Sequence, residues 1–150
     1  MIQSTPLFTP VADVAPAVDL GHCGGGTRRV VPVNGGRFAG ERISGSILPG
    51  GNDVQRVRDD GVSELQVHVV LRTDEGETIL FKGHAVRHMS EDAAKKIALG
   101  VPVDPASYYF REAITFETSS PRLAWLNRIM ALGVGRRTKD AVELEVFEVL

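Results

Sequence analysis

The stretch Tyr108–Glu117, with the sequence YYFREAITFE, is the clearest guide to the fold. It contains both tyrosines, is rich in aromatic and β-branched residues, and lacks glycine and proline, which predicts a β-strand. Side chains alternate across a strand, so one face carries most of the aromatic bulk and the other carries Tyr109, Arg111 and Glu117. Two interpretations remain open: the polar face meets water, or it lines a ligand pocket inside a barrel.

Length and composition predict one domain over residues 1–150. The net charge is −2, so no global basic field points to nucleic acid. Cys23 is the single cysteine, which excludes an intrachain disulfide and fits a reducing compartment. No apolar run approaches the ~20 residues of a membrane span, and the N-terminus lacks a signal-peptide pattern. We therefore expect a cytoplasmic protein that binds neither nucleic acid nor membrane.

The rest of the chain predicts about nine short strands and one short helix. Residues 62–73 alternate between apolar and polar side chains, as an antiparallel strand over a core does. Asn34-Gly35-Gly36 predicts a hairpin turn, and residues 90–100 predict a helix with Ser90 as its N-cap. No helix follows each strand, which argues against a parallel sheet.

Many strands joined by glycine-rich turns favour an antiparallel barrel or sandwich, and sixteen glycines fit that pattern. Closure into a barrel removes the exposed sheet edges. We therefore expect a mainly β protein, a small antiparallel barrel of about eight to nine strands. A barrel of roughly eight strands has an interior able to hold one small ligand.

No nucleophile elbow, zinc-protease motif or phosphate-binding loop is present. The candidate catalytic residues are Asp53, Tyr109, Arg111 and Glu117. For Asp53, which follows a glycine-rich turn, two interpretations stay open: a turn cap, or a buried carboxylate at a barrel mouth. The candidate substrate-binding residues are aromatic, cationic or amide side chains: Arg29, Phe38, Arg72, Trp125 and Asn127.

A carboxylate beside tyrosine and arginine suits proton transfer next to a carbonyl group. Asp53 or Glu117 is the expected base, Tyr109 the acid or hydrogen-bond donor, and Arg111 the partner of an oxyanion. The expected function is a cofactor-independent isomerase, cyclase or lyase acting on a partly hydrophobic carbonyl or aromatic metabolite, with no bound metal. The alternatives are a non-catalytic carrier or sensor with the same pocket, and a structural homo-oligomer.

Four motifs resemble a bacterial domain-of-unknown-function family, numbered 3237 and also called uncharacterised protein family 0311. They are RRVVPVNGGRFAG at residues 28–40, LPGGND at 48–53, VDP with YYFR between 103 and 111, and AWLN at 124–127. The resemblance extends from about residue 7 to residue 149. It implies a small antiparallel β-barrel of largely uncharacterised activity. It also draws attention to Tyr109, Arg111, Trp125 and Asn127.

Overall fold

The computed structural model describes all 150 residues, as ten β-strands, one α-helix and two short 3-10 turns. The strands are β1 (Ser4–Val14), β2 (Val18–His22), β3 (Thr27–Ala39), β4 (Gly45–Ile47), β5 (Asn52–Val57), β6 (Ser63–Thr73), β7 (Thr78–His88), β8 (Tyr109–Glu117), β9 (Ala131–Arg137) and β10 (Ala141–Val149). The helix α1 is Glu91–Ala98, and the turns are Pro105–Ser107 and Ala124–Arg128. None of the helical segments has the length and apolar character needed to cross a membrane.

The strands close into the antiparallel barrel that the sequence predicts. The ring runs through β1, β10, β9, β8, β7 and β6 to β3, which pairs with β1 again. Between β6 and β3, the short strands β4 and β5 together fill one position, so the ring has eight positions. Strand β2 pairs only with β3 and lies outside the ring. The closed ring gives the barrel a single enclosed interior.

The even-numbered residues of β8 point into that interior. Phe110, Ile114 and Phe116 are at most 3% exposed, whereas Tyr109 is 44% exposed on the opposite face. The apolar bulk on the even face decides the orientation, because burying these side chains contributes most of the strand's stabilisation. Glu112 has the same parity and is therefore carried into the interior.

One end of the barrel is filled by aromatic rings. Phe8 lies 5.3 Å from Phe38 and 5.9 Å from Phe116, measured between ring centroids. Leu126, in the turn after β8, is fully buried. The sequence pattern of residues 119–128 predicts a turn followed by a strand, and the strand prediction is wrong. Residues Ala124–Arg128 form a 3-10 turn instead, in which Leu126 alone is buried, so no strand face of alternating buried residues is present.

Two local predictions have different outcomes. The helix prediction is confirmed: the Ser90 hydroxyl accepts a hydrogen bond from the Ala93 amide at 3.1 Å. The prediction of a hairpin turn at Asn34-Gly35-Gly36 is wrong, since β3 continues through these residues. A β-carbon at Gly36 would lie 2.1 Å from the Val11 carbonyl oxygen. Glycine here allows β1 to approach β3, so the long-range pairing prevails over the local turn signal.

Candidate functional site

A cavity of about 60 Å³ lies inside the barrel. Thirteen of its nineteen lining residues are hydrophobic, which makes the wall mostly apolar. The ionisable and amide side chains that line it are Asp53, Gln55, Arg87, Glu112 and Arg137. A mostly apolar cavity with a few converging polar groups is the usual form of a small-molecule site.

Two carboxyl groups of this cavity are brought together by strand register. Asp53 on β5 is paired with Val67 on β6, which is paired with Gly83 on β7. Glu112 extends from β8 over Gly83, where a β-carbon would lie 1.6 Å from its Oε1 atom. The missing side chain at Gly83 therefore provides the space for the Glu112 carboxyl, in the same cross-strand row as Asp53.

Three buried oxygen atoms around these groups have no hydrogen-bond donor in the protein. The Gln55 amide donates to Asp53 Oδ2 at 2.6 Å, which fixes one side of that carboxylate. Asp53 Oδ1, Gln55 Oε1 and Glu112 Oε1 remain without a partner. Because buried polar atoms are normally paired, these three oxygens are the positions at which a ligand would make polar contacts.

The two carboxyl groups differ in their affinity for protons. Burial raises the pKa of Asp53 to about 6, against the opposing effects of the Gln55 hydrogen bond and the nearby charge of Arg87. Burial also raises the pKa of Glu112 to about 8, and the charge of Asp53 adds to this shift. At neutral pH Asp53 is therefore mainly ionised and Glu112 mainly protonated. Carboxyl groups separated in this way can serve as a base and an acid in one site.

Three arginines have charges that act on Asp53: Arg29, Arg87 and Arg137, of which Arg87 and Arg137 line the cavity. Arg29 is paired with Gln55 across β3 and β5. The Arg87 guanidinium lies 5.6 Å from the centre of the Phe110 ring, and Arg137 lines the cavity from β9. None of the three belongs to an ion pair with an acidic side chain. We call Arg29, Arg87 and Arg137 the arginine cluster.

Burial lowers the pKa of Arg87 to about 10; the charge of Asp53 opposes this shift, and the charges of Arg137 and Arg29 add to it. Burial likewise lowers the pKa of Arg137. With a pKa near 10, Arg87 remains a cation at neutral pH. The cluster therefore concentrates positive charge beside an apolar cavity.

Three of the four expected catalytic residues lie on the outer surface. Tyr109 stacks on His88 at 5.3 Å, and the Arg111 guanidinium lies 5.1 Å from the centre of the Tyr109 ring. Glu117 forms an ion pair with Lys82 at 3.2 Å. The structure therefore corrects the expectation that Tyr109, Arg111 and Glu117 line an interior pocket. The cause is strand parity: the aromatic face of β8 turns inward and takes the odd-numbered residues outward.

The expected substrate-binding residues are also dispersed. Arg72 is exposed, and Phe38 is buried in the aromatic end without lining the cavity. The Arg42 guanidinium covers Trp125 at 3.6 Å from the ring centre. Asn127 accepts from the Thr118 amide at 2.8 Å and donates to the Thr118 carbonyl at 2.9 Å, so it fastens a turn. Among the sequence candidates, the structure brings together only Asp53 and Arg29.

Sequence reasoning missed four residues of the site: Gln55, Arg87, Glu112 and Arg137. A signal existed for Glu112, because it interrupts the apolar face of β8 between Phe110 and Ile114. A charged residue on an otherwise buried face marks either a paired charge or a functional group. The other three lie at strand positions whose direction depends on pairing with distant strands.

Comparison with known proteins places the chain among relatives of undetermined activity. A UPF0311 protein from Rhodopseudomonas palustris is 34% identical over 149 residues, covering 99% of this chain and 97% of the relative. A beta-barrel like protein from Acinetobacter baumannii is 37% identical with a TM-score of 0.87, covering 100% and 97% of the two chains.

A more distant structure, an enzyme from Penicillium herquei, is 20% identical with a TM-score of 0.74, and covers 99% and 95% of the two chains. At this identity the likeness shows the fold alone. The family described as "Protein of unknown function (DUF3237)" matches residues 2–149. This match spans nearly the whole chain, and the chain belongs to the DUF3237 family of β-barrel proteins.

Proposed function

We propose that the protein is an enzyme that moves protons on a small, partly hydrophobic carbonyl or aromatic compound. The reaction class is an isomerisation, cyclisation or elimination that needs no cofactor. The observation that carries the proposal is the presence of two carboxyl groups with separated pKa values in one mostly apolar cavity. Asp53 keeps the role of base expected from the sequence, and Glu112 takes the role of acid.

The surroundings of Asp53 and Glu112 suit the two carboxyl groups to different roles in proton transfer. Gln55 holds Asp53 Oδ2, which leaves Oδ1 free to accept a proton from carbon. The protonated Glu112 carboxyl can donate to the oxygen of an adjacent carbonyl group, so that an enol forms. Where the enol is conjugated with a further double bond, Asp53 returns its proton to the far carbon and the enol hydroxyl returns its proton to Glu112, which completes an isomerisation and restores both groups. Arg87 contributes positive charge close to Asp53, which stabilises an oxyanion in a site shielded from water.

A non-catalytic carrier is the second candidate, because the apolar wall by itself is sufficient for ligand binding. The two functions predict different behaviour of Asp53→Asn. This substitution keeps the shape of the side chain and an oxygen that can accept the Gln55 hydrogen bond. It removes the carboxylate that acts as the base. If the protein is an enzyme, Asp53→Asn should lose turnover and still bind the ligand. If the protein is a carrier, Asp53→Asn should change the ligand affinity only modestly.

Exchange of carbon-bound protons tests the proposal without knowledge of the natural substrate. The probe is 1-indanone in D₂O, with loss of its α-proton signal followed by NMR. Wild type should accelerate the exchange, and Asp53→Asn should lower the protein-dependent rate by about 100-fold or more, the usual contribution of a general base. Glu112→Gln should also slow it.

The matched control is Glu117→Gln, on the same strand as Glu112 but on the outer surface. It should exchange 1-indanone at the wild-type rate. The protein-dependent rate should rise as Asp53 loses its proton near pH 6 and fall as Glu112 loses its proton near pH 8. A wild-type rate equal to that of heat-denatured protein, or an unchanged rate in Asp53→Asn, contradicts the proposal.

A further inference from the structure

We propose that the arginine cluster is an anion-binding subsite, and that the ligand of the cavity is an organic acid. This ligand has an apolar body and one carboxylate or comparably acidic oxygen. The inference rests on the proposed function for the location of the reacting part of the ligand, in the same cavity. It stands on three guanidinium groups near Asp53, two of them lining the cavity, that have no acidic ion-pair partner.

The cluster is assembled from strands that are distant in sequence, which makes it a built feature of the barrel. Arg29 comes from β3, Arg87 from the end of β7 and Arg137 from the end of β9. The Arg137 side chain donates to the Ala141 carbonyl at 3.2 Å, and its backbone amide donates to the Tyr108 hydroxyl at 3.0 Å. These bonds hold Arg137 in place while leaving other guanidinium hydrogens available.

The balance of charge inside the barrel favours an anionic ligand. Three arginines act on one ionised carboxylate, Asp53, while Glu112 is mainly protonated at neutral pH. Two positive charges therefore remain without compensation from the cavity, and Asp140, whose charge acts on Arg137, is an exposed residue that does not line the cavity. Burying like charges together is costly unless they are paired. Binding of a ligand anion removes part of this cost, and arginine matches a carboxylate in geometry.

Strand register also limits the shape of the ligand. Arg29 lies opposite Gln55, and Asp53 is two residues further along the same strand. Two residues of a β-strand span about 7 Å. The backbone positions that carry Arg29 and Asp53 are therefore separated by about the length of a small aromatic acid.

Binding of matched acids and amides tests the inference. The probes are benzoate with benzamide, and 2-naphthoate with 2-naphthamide; each amide has the shape of its acid but no charge. Dissociation constants are measured by NMR titration of the wild-type protein and of Arg29→Gln, Arg87→Gln and Arg28→Gln. Arg28 is the matched control because it neighbours Arg29 and has the opposite strand parity.

We expect at least one acid to bind wild type tenfold or more tightly than its amide. This ratio should fall toward one in Arg29→Gln and Arg87→Gln and stay at the wild-type value in Arg28→Gln. If Arg87→Gln fails to fold, as judged by circular dichroism, the acid-to-amide binding ratios of wild type and Arg29→Gln still test the proposal. Equal binding of acid and amide, or an unchanged ratio in Arg29→Gln, overturns the anion subsite and leaves the proton-transfer proposal standing. Absence of binding by all four probes also overturns the anion subsite, while 1-indanone exchange decides the proton-transfer proposal separately.

Discussion

The carboxyl group of Glu112 occupies the place where a side chain at Gly83 would be. A β-carbon at Gly83 would lie 1.6 Å from Glu112 Oε1 and 2.6 Å from the carboxyl carbon. The two residues belong to adjacent strands, and Gly83 in turn is paired with Val67, the partner of Asp53. The position of the buried acid thus depends on a glycine in the neighbouring strand.

Gly83→Ala should displace the Glu112 carboxyl and destabilise the protein. The reason is overpacking, which typically costs about 1–3 kcal/mol in a core. Urea denaturation of Gly83→Ala, Glu112→Ala and the double variant measures the coupling. The double variant should be more stable than the sum of the single effects indicates, since removal of the carboxyl makes room for the methyl group. Additive effects would show that Glu112 does not lie over Gly83.

Gly135→Ala is the matched control for this experiment. Its β-carbon would lie 2.5 Å from the Phe110 ring instead of a carboxyl group. It should destabilise the barrel with no coupling to Glu112→Ala.

Stability should fall as pH rises, because the folded protein holds protons more tightly at Glu112 than the unfolded chain does. The pKa of Glu112 is raised from 4.5 to about 8, so the destabilisation begins near pH 4.5 and is complete above about pH 8. Glu112→Gln removes this effect. The variant should match wild type near pH 5 and exceed it at pH 8.5 by a few kcal/mol, since each pKa unit corresponds to about 1.4 kcal/mol.

Thermal denaturation across pH 5 to 8.5 measures this difference as a change in Tm. Glu117→Gln serves as the control, and its pH profile should follow that of wild type because Glu117 is on the outer surface. A Glu112→Gln variant that loses stability with rising pH as steeply as wild type would contradict the assignment of a buried, mainly protonated carboxyl group.

Loss of the hydroxyl group should destabilise the protein at Tyr108 and have no effect at the adjacent Tyr109. The buried Tyr108 hydroxyl accepts a hydrogen bond from the Arg137 amide at 3.0 Å, whereas Tyr109 is 44% exposed. Tyr108→Phe should lower the free energy of unfolding by about 1–3 kcal/mol, because it leaves a partly buried amide unpaired. Tyr109→Phe should change neither stability nor 1-indanone exchange. A large loss of exchange in Tyr109→Phe would restore the outer face of β8 as the active surface.

The sequence predicts the barrel well because alternation and turn residues are local signals. Residues 62–73 alternate clearly, and Ser90 marks the start of the only helix. Which face of β8 points inward is harder to predict, since the charged Glu112 interrupts the apolar face and the apolar Ala113 interrupts the polar face. The apolar area of Phe110, Ile114 and Phe116 decides the matter once the strand is enclosed.

The site is less predictable than the fold because it depends on pairing between distant strands. Arg87 and Arg137 lie near strand ends, where sequence alone does not reveal which neighbour they face. Gly83 reads as a small residue within a strand, and its role appears only when β8 is placed beside β7. Asn127 shows the opposite error: an amide that suggests ligand binding instead fastens the turn to Thr118.

The central claim is that one cavity holds two carboxyl groups that titrate at different, elevated pH values. A ¹³C NMR titration of the side-chain carboxyl carbons, assigned with Asp53→Asn and Glu112→Gln, measures this directly and requires no substrate. The account predicts that the Asp53 signal titrates near pH 6 and the Glu112 signal near pH 8. Titration of both carboxyl groups near pH 4, as in exposed side chains, would contradict it.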